Sequence, residues 1–487
     1  MKTDILRIID DWGHRRSDRV AHISGSRSLT YAELCRRSDS VAADVMRRLP
    51  DDGSPIAVVG HKEPEMLIGF LGAVKGGHPY VPIDSVLPSR RVQRIVEMAA
   101  CKLTLTPERI SGLPSSPNPA PERRLAPSDP YYVMFTSGST GDPKGVVITL
   151  RCLSTFLEWM LTEHRFAEGE TFLNQVSYGF DVSVMDTYVS LLTGGTVFSI
   201  TNDDVNDPKQ LYRSLRASGV TTWVSTPSFA VMCLAERSFA AGMLPQVRRF
   251  LFCGEALPPE VAAQILDRFP GAEVWNTYGP TETTVATTSI RIGRDVLARY
   301  SPLPIGHPMP GSRVVVVDED GQPVPPGERG EIVIAGPHVS RGYLGTPDLN
   351  AEAFYELDGM RTYRTGDRGH YQDGLLFCDG RIDSQIKLHA YRVELGDVEA
   401  NMQALPGVRE AVVLPVLKQG RAQSLAAFVI LTERPPGSDF EVSRALRTKL
   451  AERLPAYMLP RQFFFREAFP MTANGKVDRR QLATLLE

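Results

Sequence analysis

TSGSTGDPKG, residues 136–145, is the stretch on which the reading of this chain turns. Its ten residues hold three Gly, two Thr, two Ser and one Lys. Small side chains such as Gly138 let backbone N–H groups close on an anion. The hydroxyls of Thr136, Ser137, Ser139 and Thr140 add donors, and Lys144 adds a positive charge. That is the composition of a phosphate cradle. The apolar run Tyr131–Phe135 precedes it, and Val146-Val147-Ile148-Thr149 follows. β-Branched residues favour strand over helix. A P-loop reads G-x-x-x-x-G-K-[ST] and opens a helix. Here Lys144 follows Pro143 and precedes Gly145, with strand expected next, so that loop type is excluded. On its own residues, the stretch leaves open a plain Gly/Ser turn between two strands.

A chain of 487 residues is too long for one core, so two to four domains are expected. The hydrophobic fraction of 42% and charged fraction of 23% are ordinary for a globular protein. A net charge of −3 supplies no basic field for nucleic acid or an anionic membrane. No run of 18 apolar residues offers a membrane span. The N-terminal MKTDILRIIDDWGHRRSDR lacks the apolar core of a signal peptide. Six Cys are scattered without a C-x-x-C, which predicts reduced thiols in a cytoplasmic protein and no zinc site.

Residues 1–110 alternate strand and helix patterns. Leu29–Leu34 predicts a strand passing into a helix, Pro55–Gly60 a buried strand, Glu65–Lys75 an apolar helix and Tyr80–Asp84 a strand end. Such βα alternation favours a parallel sheet. Prolines at 114, 117, 119, 121, 127 and 130 mark a loop delivering the chain to the phosphate-cradling stretch. Val247–Cys253 predicts a strand ending at Gly254-Glu255, followed by a helix from Pro259. Val274-Trp275 predicts a short strand running into Asn276–Glu282. Ligands of parallel sheets sit at such strand ends. Residues 311–380 predict an antiparallel subdomain. Beyond about residue 380 the pattern is that of a small α+β domain, with a capping box at Ser438–Glu441.

Seven segments in order carry a resemblance to the adenylate-forming superfamily of acyl-CoA synthetases, luciferases and amino-acid adenylation domains. They are TSGSTGDPKG (136–145), FDVSVMD (180–186), NTYGPTE (276–282), GEIVIAGPHVSRGYLG (330–345), YRTGD (363–367), GRIDSQIKLHAYRVELGDVE (380–399) and NGKVDRR (474–480). The resemblance implies an α/β fold: a large N-terminal domain of stacked α/β sheets with a small β-barrel-like subdomain, residues 1–382. A small α+β C-terminal domain, 383–487, carries the catalytic lysine. Members activate a carboxylate with ATP as an acyl-adenylate, release pyrophosphate, and pass the acyl group to a thiol.

The resemblance assigns roles residue by residue. Lys476 matches the lysine bridging the substrate carboxylate and the α-phosphate, and cations are needed where two anions meet. Glu282 matches the ligand of Mg²⁺, a hard ion that takes oxygen. Thr136 and Thr281 match phosphate contacts. Tyr278 matches the aromatic that stacks on adenine, and Asn276 the amide that pairs with its edge. Asp367 matches the carboxylate that accepts from the ribose hydroxyls, with Arg381 near ribose and phosphate. Asp383 matches a hinge about which the small domain would turn, exchanging Lys476 for the 386–394 loop. In that loop Ala390 stands where the family usually has Gly; the added methyl and the lost positive-φ freedom bear on thiol transfer, and adenylation is expected to survive.

Asp181 narrows the substrate. Amino-acid adenylation domains carry an aspartate here for the α-ammonium group, and a buried carboxylate is costly without a cation. Cys253 stands where Gly is common, so its sulfur shrinks the pocket toward a small side chain. Together with Met185 and Val285 the pattern most resembles the branch that activates D-alanine for a phosphopantetheinylated carrier protein. In that branch the matching Cys helps select the D isomer. No Gly-Gly-x-Ser signature lies near the end, so the carrier is expected in trans. Three alternatives remain: activation of glycine, L-alanine or another small amino acid for secondary metabolism; an acyl-CoA synthetase, which Asp181 disfavours; and a non-catalytic binding protein on the same fold.

Overall fold

The computed structural model describes residues 4–49, 52–114, 125–138, 142–382, 385–388, 391–418, 421–471 and 477–486. The chain divides into two compact units. The first holds residues 1–84, 98–135 and 145–382; the second holds 85–97, 136–144 and 383–487.

The first unit contains two mainly parallel sheets and one antiparallel sheet. A nine-stranded sheet runs, edge to edge, through His307–Pro308, Thr288–Arg291, Glu273–Tyr278, Arg249–Phe252, Thr222–Ser225, Thr171–Asn174, Thr196–Ser199, Val20–Ser24 and Arg27–Thr30. Its middle is parallel, from Glu273–Tyr278 across to Val20–Ser24. A six-stranded sheet contains Ile56–Gly60, Tyr80–Asp84 and the two strands flanking the phosphate-cradling stretch, Pro130–Thr136 and Lys144–Thr149. The strand expected after Lys144 is therefore present. Five antiparallel strands between Arg313 and Arg381 form the third sheet.

Two helices are buried along their whole length, Pro64–Lys75 and Val182–Leu192. Their sequences are apolar on nearly every face, which is what a helix needs when no side meets water. The charges of the first, Glu65 and Lys75, are paired. Lys75 donates to Asp10 at 2.7 Å and to Asp39 at 2.8 Å, and Arg27 donates to Glu65 at 2.6 Å. Thr30 and Glu33 close a capping box on the helix Tyr31–Arg48. Such a cap is worth about 1 kcal/mol, and it fixes where the strand before it stops.

The second unit has its own apolar core. It is built from the long hairpin Val408–Lys418 and Arg421–Leu431, the strand Gln462–Phe465 and the helices Leu395–Gln403 and Asp439–Ala451. The predicted capping box at Ser438 and Glu441 is formed. Among the described residues, no helix is long and apolar enough to cross a membrane. The six cysteines are all free thiols.

Candidate active site

The predicted nucleotide and amino-acid residues of the first unit gather where the parallel strands of the nine-stranded sheet end. Cys253 directly follows Arg249–Phe252, and Asn276 and Tyr278 close Glu273–Tyr278. The latter strand is longer than the two residues expected, because Trp275–Tyr278 also pairs antiparallel with Thr288–Arg291.

Three of these residues form one polar cluster. Asp367 and Arg381 are direct partners across an antiparallel strand pair, so the register alone brings them together. Arg381 donates to Asp367 Oδ1 at 3.0 Å and to the Thr365 carbonyl at 2.8 Å. Tyr278 Oη donates to Asp367 Oδ2 at 2.5 Å. Burial, then the Asp367 charge, pushes the Tyr278 phenol well above its usual range, so it stays a donor. Asn276 is buried, and its Nδ2 donates to the Pro304 carbonyl at 2.8 Å. That bond fixes the amide orientation.

The segment 279–287 is shaped around Thr281 and Glu282. A Cβ at Gly279 would lie 2.6 Å from Ala286 Cα, so the loop folds back on itself only with glycine there. Thr284 and Val285 take left-handed φ angles of 57° and 71°. For a β-branched residue this is strained, and such strain gathers at functional sites. Glu282 is wholly buried and accepts from Tyr343 Oη at 2.7 Å. Tyr343 in turn pairs with Val146, just past the phosphate-cradling stretch. A carboxylate buried in this way is a hard oxygen donor of the kind Mg²⁺ takes alongside phosphates. Among the described residues no cluster of three or more His, Cys, Asp or Glu side chains forms a metal site.

His338 supports the same loop. It is wholly buried, with Nε2 2.9 Å from Thr287 Oγ1 and Nδ1 3.2 Å from Ser312 Oγ, and its carbonyl accepts from Thr284 Oγ1 at 2.7 Å. Burial pushes the imidazole down to about 3, so it is neutral when folded. The unfolded imidazole binds a proton below about 6.5. Stability carried by His338 is therefore full above that pH and is lost as pH falls toward 3, by up to about 1.4 kcal/mol per unit. His22 and His164 act with the same sign, whereas Asp186, raised to about 8, acts with the opposite one. Comparing His338→Gln with the unaltered protein by urea unfolding at pH 7, 6 and 5 isolates the one residue. The variant is expected to be less stable at pH 7 and to lose less per pH unit; parallel curves would remove His338 from this role.

The pocket side is built on the buried helix Val182–Leu192. Asp181 is its N-terminal cap residue and half-buried, yet its side chain makes no capping hydrogen bond. Met185, one turn on, is wholly buried. A Cβ at Gly254 would come within 3.6 Å of Val182, so the Cys253-Gly254 corner lies against the start of that helix. Cys253 is wholly buried, with Sγ 3.7 Å from the carbonyl of the strained Val285. Asp181, Met185, Cys253 and Val285 thus belong to one region.

The phosphate-cradling stretch falls in the second unit. Thr136 Oγ1 is buried with no hydrogen-bond partner among the described residues. Ser137 Oγ donates to the Arg392 carbonyl at 2.7 Å and accepts from the Glu394 N–H at 3.2 Å. A Cβ at Gly138 would run into the Asp142 carbonyl. Lys144 Nζ is 4.0 Å from Glu394 Oε1. Ser139, Thr140, Lys476, the hinge residue Asp383 and Ala390 lie outside the described residues. Tyr343, His338 and the left-handed turn at 284–285 went unpredicted. Tyr343 lies in the quoted GYLG segment, but no spacing ties it to a carboxylate 61 positions away.

Comparison with known proteins places these motifs. The model of the AMP-binding enzyme family matches residues 9–118 and 107–344, and that of the AMP-binding enzyme C-terminal domain matches 397–476. A D-alanine–D-alanyl carrier protein ligase of Bacillus cereus is 45% identical, over 98% of this chain and 98% of its own. Among solved structures, the Vibrio cholerae adenylation domain AlmE, in complex with glycyl-adenosine-5′-phosphate, aligns over 99% of this chain and 97% of its own. Its TM-score is 0.85 at 21% identity. Holo-PA1221, an NRPS protein with adenylation and PCP domains, aligns over 99% of this chain and 84% of its own, with a TM-score of 0.83 and 26% identity.

Proposed function

The chain belongs to the AMP-binding enzyme family, and from that premise we propose that it is a ligase that activates D-alanine with ATP and loads it on a carrier protein. In the first half-reaction a carboxylate oxygen of D-alanine attacks the α-phosphorus. The bond from that phosphorus to the bridging oxygen breaks, and pyrophosphate leaves. In the second, a phosphopantetheine thiol of a separate carrier gives up its proton and attacks the acyl carbon, and AMP leaves. Both halves require the nucleotide and the acyl group to be held in line, so most of the rate comes from positioning and charge.

Single residues then divide the work. Thr136, Ser137, Gly138, Ser139, Thr140 and Lys144 hold the β- and γ-phosphates, and Thr281 is assigned a phosphate contact as well. Asp367 receives the ribose hydroxyls, already oriented by Tyr278 and Arg381. Asn276 and the Tyr278 ring receive the adenine. Glu282 would hold Mg²⁺ with the phosphates, and that ion supplies charge neutralisation when bound. Asp383 serves as the hinge between half-reactions. An ATP-consuming reaction of this kind belongs in the cytoplasm.

The single observation that carries the amino-acid reading is the place of Asp181, a half-buried carboxylate at the start of the helix that also carries Met185 and against which the Cys253-Gly254 corner lies. A carboxylate at that place is the group that would pair with a substrate ammonium. Support for D-alanine in particular comes from the 45% identical relative and from Cys253. Pyrophosphate exchange with D-alanine, L-alanine, glycine and bulkier amino acids tests the assignment. D-alanine is expected to give the highest kcat/KM; a clear preference for an L or bulky amino acid would overturn it and favour the secondary-metabolite reading.

Cys253 is expected to tune chirality. Cys253→Gly empties space beside Val285. Small volume changes in an apolar pocket are worth about 1–3 kcal/mol. The ratio of D- to L-alanine kcat/KM is therefore expected to fall about tenfold. An unchanged ratio would leave Cys253 as packing only.

A further inference from the structure

The strand Ile56–Gly60 of the six-stranded sheet is followed by His61 and Lys62. Lys62 is 1% exposed, so its ammonium has no access to bulk water. It donates to Asn174 Oδ1 at 2.6 Å and to the Val176 carbonyl at 2.5 Å, and it lies over the Tyr178 ring at 4.5 Å. Asn174 closes a strand of the other, nine-stranded sheet. Its Nδ2 donates to Asp186 Oδ1 at 2.8 Å, and its Oδ1 also accepts from Ser199 Oγ at 2.8 Å. Asp186 sits on the buried helix Val182–Leu192, one residue past Met185. One amide thus stands between a buried cation and a buried carboxylate. Burial pulls the Lys62 ammonium down and pushes the Asp186 carboxyl up, and each charge favours the charged form of the other.

The same connection has a second anchor. His61 Nδ1 is 3.1 Å from Asp84 Oδ2, and Ser177 Oγ donates to that carboxylate. The Ser177 carbonyl accepts from the Phe180 N–H at 2.9 Å. Residues 174–180 are therefore gripped at Asn174, Val176 and Ser177, and the next residue is Asp181. Packing alone does not call for this arrangement, because replacing buried ions by apolar side chains of similar volume is often neutral or stabilising. What an apolar side chain does not provide is a directed bond to one backbone carbonyl.

We propose that Lys62 is a positioning residue for the amino-acid site: through Asn174 and the Val176 carbonyl it sets where Asp181 meets the substrate ammonium group. The inference rests on the reading of Asp181 as the ammonium partner. Lys62 does not touch the substrate. Its action is on the connection that leads into the pocket helix, and it couples the second sheet to substrate binding. Displacement of a binding group by about 1 Å is enough to cost orders of magnitude in rate.

The test compares the unaltered protein with Lys62→Met, with Lys62→Met/Asp186→Asn and with Ser177→Ala, by pyrophosphate exchange and thermal unfolding. The unaltered protein alone judges the D-alanine assignment. The variants are then assayed with whichever amino acid it uses best, so a wrong substrate assignment leaves this comparison intact. Lys62→Met is expected to raise the amino-acid KM about tenfold or more, with the ATP KM held within about twofold. The double variant removes the stranded carboxylate and is expected to recover thermal stability while the amino-acid KM stays high, because the Val176 carbonyl still lacks its donor. Ser177→Ala, a mild change, is expected to raise the same KM several-fold by the same route. Loss of stability with unchanged amino-acid KM in the double variant and in Ser177→Ala, or equal rises in both KM values, would overturn the proposal.

Discussion

Lys476→Ala is expected to lower amino-acid-dependent pyrophosphate exchange by about 10³-fold while ATP binding changes only a few-fold. In the first half-reaction a carboxylate must approach a phosphorus ringed by anionic oxygens. At about 4 Å and an effective dielectric near 20, one unit charge acting on another is worth about 4 kcal/mol. A cation placed between the two anions therefore changes the barrier by several kcal/mol. It matters less to the ground state, where on the proposed assignment the phosphates would keep the hydroxyls and amides of residues 136–145, and Glu282 would still hold an ion. NGKVDRR places Lys476 after Asn474-Gly475, at the end of the matched C-terminal domain segment, 397–476. Exchange and ATP calorimetry on the same preparation separate chemistry from binding. Preformed D-alanyl adenylate adds a second readout, since its transfer to the carrier needs no attack on phosphorus and is expected to survive the substitution. Exchange within tenfold of the unaltered rate would remove Lys476 from the assigned role.

Much of the fold could be read from the chain because its periodicities are strong. The apolar helix at Glu65–Lys75, the strands at Pro55–Gly60 and Tyr80–Asp84 and the capping box at Ser438 each follow from local chemistry, and each is present in the structure. The strand after Lys144 followed from four residues, all of them β-branched. The site was readable only as motifs, and what holds the motifs in place was not. Tyr343 reaches Glu282 from 61 positions away, and Tyr278 reaches Asp367 from 89. No sequence period encodes such distances, which arise from contacts between strands of different sheets and the turn that follows one of them. The left-handed Thr284 and Val285 were missed for the opposite reason, because local preference argues against them. Tertiary contacts at Gly279, Ala286 and His338 override that preference. Lys62 was invisible as well: in sequence it is one lysine between His61 and Glu63, and only the structure shows it buried.

Asp181→Asn is expected to raise the D-alanine KM about 100-fold or more and leave the ATP KM nearly unchanged, because truncating one partner of a buried charge pair costs about 2–5 kcal/mol. The choice of Asn decides between two roles. Asp and Asn are equivalent at a helix N-cap. If Asp181 served only to start the helix Val182–Leu192, the substitution would be nearly silent in both stability and kinetics. The Asp181 side chain accepts no capping bond, so a loss of kinetics on substitution would not trace to a lost cap. The Asn variant keeps shape and removes charge, so what it loses is the attraction for an ammonium group. Propionate, which matches alanine without that group, gives the internal control. The unaltered protein is expected to favour D-alanine over propionate strongly, because without the ammonium group the carboxylate would be desolvated with no cation to meet it. In the variant that penalty is gone, and the D-alanine to propionate ratio is expected to fall about 100-fold, mostly through loss on D-alanine. A retained preference, with KM for D-alanine unchanged, would assign ammonium recognition to another group and reopen the carboxylic-acid substrates that Asp181 now argues against.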